Sequence, residues 1–193
     1  MRAVQTLPGD YEEVLHIDLQ KDKKTALKVN IGGSLVMVLV LVIGHFIVPA
    51  GRLFGINDFG TFLVRMGVLF AAYLVYIVLH ELTHAAVMKA VGGGKVRFGF
   101  TGIYAFAGSL EDYFDKTSYR AIALAPLILW GVVFGVLAAV VPEDWFWVVW
   151  FLQAGNIGGA AGDVYVTAKL WRKPETILVR DTGVDMTVYD RTV

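Results

Sequence analysis

Apolar residues in this chain are gathered into four long runs that are separated by polar segments. The runs extend from about Val29 to Val48, from about Phe62 to Val91, from about Tyr119 to Val141 and from about Trp145 to Trp171. Each run reaches the roughly 20 residues that a helix needs to cross the hydrocarbon core of a bilayer. The pattern therefore predicts four transmembrane helices.

The polar segments carry a different period. Leu15, Ile17 and Leu19 alternate with polar residues, as in a strand with one buried face. Segment 95–109 predicts a short hairpin, and segments 176–179 and 184–189 flank a turn-forming Asp-Thr-Gly triplet as a second hairpin. We expect an all-α membrane protein with four transmembrane helices and a small cytoplasmic β-strand layer. Residues 1–193 would form one integral-membrane domain, with strand segments in 1–28 and 172–193 and a membrane core in 29–171.

Composition agrees with a membrane protein and excludes several kinds of site. Hydrophobic residues make up 56% of the chain and charged residues 18%, whereas soluble domains have about 45–50% and about 25%. The chain contains no cysteine, which excludes disulfides, thiolate metal sites and cysteine nucleophiles. The formal net charge is zero, so there is no electrostatic basis for binding nucleic acid.

Basic residues predict the orientation in the membrane. Lysines and arginines cluster before the first run, between the second and third runs, and after the fourth. The other two connections hold Arg52 and the acidic pair Glu143-Asp144. By the positive-inside rule, both termini and the central connection then lie in the cytoplasm. We expect an integral protein of the cytoplasmic membrane of a prokaryote.

The second apolar run contains the sequence His80-Glu81-Leu82-Thr83-His84 near its end. His80 and His84 share one helix face, one turn apart, so both imidazoles can reach one metal ion. Glu81 follows the first ligand and can act as general base on a metal-bound water, as in other HExxH motifs. Ionisable residues inside an apolar span are costly and usually functional. We therefore favour a zinc-hydrolase site over a helix end whose polar residues merely face other polar groups.

A catalytic zinc site normally has three protein ligands, so one ligand must come from elsewhere in the chain. No histidine follows His84, while His45 lies at the wrong depth and His16 in a polar strand. Asp163 is the strongest candidate, because it and His84 both lie about 8–9 Å inside the cytoplasmic ends of their helices at 1.5 Å per residue. Close helix approach is favoured by four neighbouring glycines, Gly155, Gly158, Gly159 and Gly162.

Other interpretations of these acidic residues stay open. Asp163 could instead pair with a lysine or arginine on a glycine-rich packing face. Glu111 is a distant alternative ligand. Otherwise Glu111, Asp112 and Asp115 are expected to form a solvated loop between the second and third runs.

These residues carry a resemblance to two groups of membrane metallopeptidases. An HExxH helix followed by Asn156 and Asp163 on a later helix resembles the site-2 protease group of intramembrane zinc peptidases. The whole chain resembles the small membrane family called putative zincin peptidases. That family has a strand-like N-terminal segment similar to 11–21, four hydrophobic spans and a short C-terminal strand region. Two departures from the site-2 pattern are Thr83, where glycine is usual, and Gly162-Asp163-Val164 in place of Leu-Asp-Gly.

The resemblance implies an intramembrane zinc metalloprotease that hydrolyses membrane protein or peptide substrates by zinc-activated water. His80, His84 and Asp163 would bind Zn²⁺, and Glu81 would be the general base. Asn156 would hold the substrate or polarise its carbonyl. The 95–109 hairpin offers an edge strand for an extended substrate. Two other functions stay open, a non-catalytic zinc-binding or regulatory membrane protein and a metal transporter.

Overall fold

The structure is a computed structural model that describes residues 3–54, 59–102 and 104–192. The chain forms two compact units. One unit comprises Met1–Val29, His80–Ala125 and Gly162–Val193, and the other comprises Asn30–Leu79 and Pro126–Ala161. We call the first the sheet unit and the second the helix unit, after the elements that dominate each.

Most of the chain is helical. The helices are α1 (Lys23–Ile47), α2 (Gly51–Phe54), α3 (Phe59–Ala90), α4 (Lys116–Val140), α5 (Glu143–Gly159) and α6 (Ala161–Leu170). Within the described residues, α1, α3 and α4 are long and apolar enough to cross a membrane. Large apolar side chains such as Leu35, Phe46 and Phe70 are exposed on them, as expected for helices that face lipid. The structure thus supports a membrane protein and confirms helices at the first three predicted spans.

The predicted fourth span is divided into two helices. The first ends at Gly159 and the second begins at Ala161, with 17 and 10 residues respectively. The backbone N–H of the intervening Ala160 bonds to the carbonyl oxygens of Asn156 and Gly158. The residues around this junction are small, since glycine and alanine occupy every position from 158 to 162. The break places Asp163 in the first turn of α6, where the N-terminal end of the helix dipole favours a carboxylate. A fourth membrane crossing stays a prediction.

Strands in the sheet unit form two antiparallel sheets. The larger has the order β1-β5-β6-β7-β2, built from Ala3–Val4, Tyr113–Asp115, Leu178–Asp181, Met186–Arg191 and Tyr11–Ile17. The smaller is the hairpin β3 (Arg97–Phe100) and β4 (Ala105–Gly108). Both predicted hairpins are confirmed, although Ile103 of the 95–109 segment lies outside the described residues. The second hairpin turns at Gly183, whose φ of +83° favours glycine.

The core of the sheet unit joins the larger sheet to three helices. Met88 of α3, Ile122 of α4 and Leu170 of α6 are each at most 1% exposed. They pack in one cluster with strand residues that include Phe114 and Val188. This core holds the end of α3, the start of α4 and α6 in fixed positions, and these are the segments that carry the candidate site.

One loop prediction is wrong. Asp112 is fully buried rather than solvated, and residues 113–115 form β5. The Oδ2 atom of Asp112 accepts hydrogen bonds from the Gly94 N–H at 2.7 Å and the Ser109 hydroxyl at 2.6 Å. These partners compensate part of the cost of burying a carboxylate. Glu111, in contrast, is exposed as expected.

Small residues allow two helices of the helix unit to approach closely. A Cβ atom on Gly158 of α5 would lie 2.7 Å from the carbonyl oxygen of Gly33 in α1 and 2.7 Å from Cβ of Met37. No side chain larger than hydrogen fits at position 158 without movement. Gly159 is different, since a Cβ atom there would meet no atom within 4 Å.

Candidate metal centre

The last turns of α3 carry both histidines of the motif on one face. The imidazole ring centroids of His80 and His84 are 4.9 Å apart, with the ring planes at 76°. Their side chains are 15% and 11% exposed. The four-residue spacing therefore produces the paired imidazoles that the helical period predicts.

Asp163 meets these two imidazoles from the first turn of α6. Its Oδ2 atom lies 3.5 Å from Nε2 of His80, and its Oδ1 atom lies 3.7 Å from Nε2 of His84. Candidate ligand atoms from all three side chains lie within 4.8 Å of one another. The structure thus brings together the three residues that were selected from the motif and from matching depths.

The three side chains fit a zinc ion in geometry and in chemistry. Ligand atoms about 2.0–2.2 Å from a tetrahedral zinc ion are separated from one another by roughly 3.3–3.6 Å. The two nitrogen–oxygen distances, 3.5 and 3.7 Å, are close to this separation. Two imidazoles and one carboxylate also form a known catalytic zinc ligand set. In the ranges 3–54, 59–102 and 104–192 this is the group of potential metal ligands that comes close enough to share an ion.

A backbone carbonyl on α4 orients His84. The Nδ1 atom of His84 lies 2.9 Å from the carbonyl oxygen of Ile122, in a buried contact. A carbonyl oxygen only accepts hydrogen bonds, so Nδ1 must carry the proton. In the neutral imidazole, Nε2 on the side of Asp163 then keeps its lone pair. Histidine ligands of metals commonly have a partner of this kind, and this contact was not predicted from the sequence.

Glu81 faces the hairpin β3–β4. Its partly buried carboxylate interacts with the backbone N–H of Ala107 in β4. The candidate base is therefore held between the motif helix and an edge strand. The strand position of Ala107 was expected from the hairpin, whereas its contact with Glu81 depends on the packing of the sheet unit.

A second carboxylate near this group was not selected from the sequence. Asp181, at the end of β6, accepts hydrogen bonds from the Tyr119 hydroxyl and the Gly183 N–H, both at 2.7 Å. Desolvation raises the pKa of Asp181, these two hydrogen bonds oppose the rise, and the nearby Asp163 carboxylate adds to it. Asp181 stands in a sequence typical of a turn, so the sequence contains no signal of its burial.

Asn156 belongs to the helix unit, where the oxygen and the nitrogen of its side-chain amide both form hydrogen bonds. Its Oδ1 atom accepts a hydrogen bond from the Tyr76 hydroxyl at 2.9 Å. Its Nδ2 atom donates to the carbonyl oxygen of Leu127 at 3.1 Å. Asn156 is fully buried, and these contacts give it a packing role within its own unit. Its role toward a substrate stays a prediction.

Three long apolar helices support a membrane protein, and the two histidines of the HExxH helix together with Asp163 of α6 form a ligand group of the zincin type. Comparison with protein families gives the same class. Residues 73–178 match the family described as "putative zincin peptidase". The match covers more than half of the chain and includes His80, Glu81, His84 and Asp163.

The chain therefore belongs to the putative zincin peptidase family. The family description implies a metallopeptidase that depends on zinc. Comparison with curated proteins gave no match, and neither did comparison with solved structures.

Proposed function

We propose that this protein is an intramembrane zinc metalloprotease of the site-2 type, acting on membrane-associated protein or peptide substrates. His80, His84 and Asp163 bind the zinc ion, and Glu81 is the general base. The observation that carries the proposal is the convergence of the three candidate ligands within 4.8 Å, at the end of a helix that is long and apolar enough to cross a membrane. The family match supports the same chemistry.

The residues around the site have separate tasks in this mechanism. Zinc, when bound, supplies a Lewis acid that polarises a scissile carbonyl and makes water a better nucleophile at neutral pH. Glu81 removes a proton from the attacking water and transfers it to the leaving amine. The Ala107 N–H interacts with the carboxylate of Glu81 and helps to position it. The Ile122 carbonyl keeps the proton of His84 on Nδ1.

The outer edge of β4 is the proposed binding place for an extended substrate. In the described residues β4 pairs with β3 alone, and the hydrogen bond from Thr101 N–H to the Tyr104 carbonyl closes the turn between them. Alternation along an antiparallel pair then turns the N–H and C=O groups of Ala105 away from β3. A substrate strand can pair with these groups. Ala105→Pro removes one outward N–H, and we expect slower cleavage with unchanged zinc content.

The proposal also covers the arrangement in the membrane. Helices α5 and α6 together would form the fourth crossing, with a break beside the site as in other proteins whose interrupted helices bind ions. Both termini and the β3–β4 hairpin would be cytoplasmic, in the cytoplasmic membrane of a prokaryote, because lysine and arginine are concentrated in those segments. The chain would act as one domain, since α3 and the family match both extend through the boundary between the two units.

Glu81→Gln tests the catalytic assignment. The variant removes the base and none of the proposed ligands. We expect full zinc content and a fall in cleavage of about 10²–10⁴-fold, the usual contribution of a general base. A bilayer-spanning synthetic peptide with a fluorophore and a quencher reports cleavage, and elemental analysis reports zinc. Glu111→Gln is the matched control, because Glu111 is an exposed carboxylate outside the site.

The outcomes separate the proposed function from its alternatives. Wild-type cleavage rates in Glu81→Gln would exclude Glu81 as the base. Zinc binding without cleavage in either protein would favour a binding or regulatory role. Zinc flux into liposomes that contain the protein would favour a transporter.

A further inference from the structure

Proline 126 interrupts the hydrogen-bond pattern of α4 at a specific carbonyl. It lies inside this helix and is fully buried. In an α-helix, the N–H of each residue bonds to the carbonyl four residues earlier. Proline has no N–H, and its ring also pushes against that carbonyl. The carbonyl four residues before Pro126 is that of Ile122, which therefore has no α-helical donor.

Ile122 is the residue whose carbonyl oxygen receives the Nδ1 proton of His84, at 2.9 Å. The contact is buried and joins residues 38 positions apart in the sequence. A carbonyl freed by proline is a ready acceptor for a side chain, whereas a carbonyl in an intact helix already has a donor. The position of the proline thus coincides with the partner of a proposed metal ligand.

We infer that Pro126 is a positioning residue for His84. It keeps the Ile122 carbonyl open to the imidazole, which holds the proton on Nδ1 and turns the lone pair of Nε2 toward Asp163. The inference rests on the proposed function in one respect, the assignment of His84 as a zinc ligand. An N–H at position 126 would compete for the carbonyl, and a buried imidazole N–H without a partner is costly.

The replacement Pro126→Ala restores the missing N–H and raises the helix propensity of α4. The first readout is made on metal-free protein. The tautomer of His84 is read from ¹⁵N chemical shifts of labelled histidine in nanodiscs at about pH 9, where imidazoles are ordinarily neutral. We expect the Nδ1–H form to dominate in wild type and a mixture of tautomers in the variant.

The second readout is the dissociation constant for zinc, measured by competition with a chelator. Loss of an outer partner of a histidine ligand typically weakens metal binding about 10–100-fold, and we expect Pro126→Ala to fall in this range. Gly135→Ala is the matched control. It also raises the helix propensity of α4, its added Cβ meets no atom within 4 Å, and it leaves the Ile122 carbonyl unchanged.

A backbone ester separates the missing N–H from the shape of the ring. Lactate at position 126 has the side chain of alanine but no N–H, so it should restore the wild-type tautomer and zinc affinity. An ester variant that behaves like Pro126→Ala would show that the ring is what matters, which would overturn the inference.

Two further outcomes would also overturn it. One is an Nε2–H tautomer of His84 in the wild type. This measurement does not depend on whether any variant folds. The other is an unchanged tautomer and an unchanged dissociation constant in Pro126→Ala. A tautomer shift in a protein whose wild type binds no zinc would support the role of Pro126 and would refute the proposed function, so the two failures are distinguishable.

Discussion

Replacing Asp163 with alanine removes the proposed third ligand and leaves the HExxH helix unchanged. The carboxylate lies 3.5 Å and 3.7 Å from the two histidine Nε2 atoms, so truncation at Cβ leaves those imidazoles without the oxygen that completes the group. We expect the variant to fold and to bind zinc weakly.

The size of the effect follows from the number of ligands. Four-ligand structural sites hold zinc with about 10–16 kcal/mol, so one ligand contributes on the order of 3 kcal/mol. This corresponds to roughly a hundredfold increase in the dissociation constant. Asp163 also lies in the first turn of α6, and losing a carboxylate there costs about 0.3–1 kcal/mol of stability. The second effect is too small to unfold the protein.

Zinc affinity is measured by chelator competition on purified protein, with thermal unfolding as a check on folding. Glu143→Ala is the matched control. The Glu143 side chain is 69% exposed, and its Oε2 atom lies 3.5 Å from Nη2 of the Arg52 guanidinium, so it forms a surface ion pair of small energetic value. We expect the control to bind zinc as tightly as wild type. Unchanged zinc affinity in Asp163→Ala would refute the assignment of the third ligand.

Three further predictions concern packing, pH and orientation. Gly158→Ala should lower stability by about 1–3 kcal/mol through overpacking, whereas Gly159→Ala, which has free space, should not; equal melting temperatures would contradict this. The pKa of Asp181 is raised by burial, so its stabilising contribution is present at low pH and is lost as pH rises through that pKa. Asp181→Asn should remove this pH-dependent loss of stability, which is measured as the free energy of unfolding in denaturant titrations at several pH values. If the free energy of unfolding depends on pH in the same way in both proteins, the prediction is wrong. Because the chain has no cysteine, single cysteines at Lys24 and Glu143 should label from opposite sides of the membrane, and labelling from one side would reject the proposed orientation.

Much of the candidate site was predictable because it depends on short-range periodicity and on depth. The helical period places His80 and His84 on one face. Counting residues from the basic helix ends places Asp163 at the depth of His84. The structure confirms that these three side chains meet, while their role as zinc ligands stays a prediction.

The parts that sequence did not reveal depend on long-range contacts. The acceptor for His84 is the backbone carbonyl of Ile122, which lies 38 positions away in the sequence. Asp112 was expected in solvent because its partner Gly94 lies 18 residues away. The break at Ala160 occurs in an apolar stretch of small residues without proline, so hydropathy alone extends the fourth run through it.

X-ray absorption at the zinc edge of the purified wild-type protein tests the central claim most directly. We predict one equivalent of zinc with two imidazole nitrogens and at least one carboxylate oxygen, all about 2.0–2.2 Å from the metal. Protein that retains no zinc when purified in its presence, or zinc bound by fewer than two imidazoles, would contradict a metal centre formed by His80, His84 and Asp163.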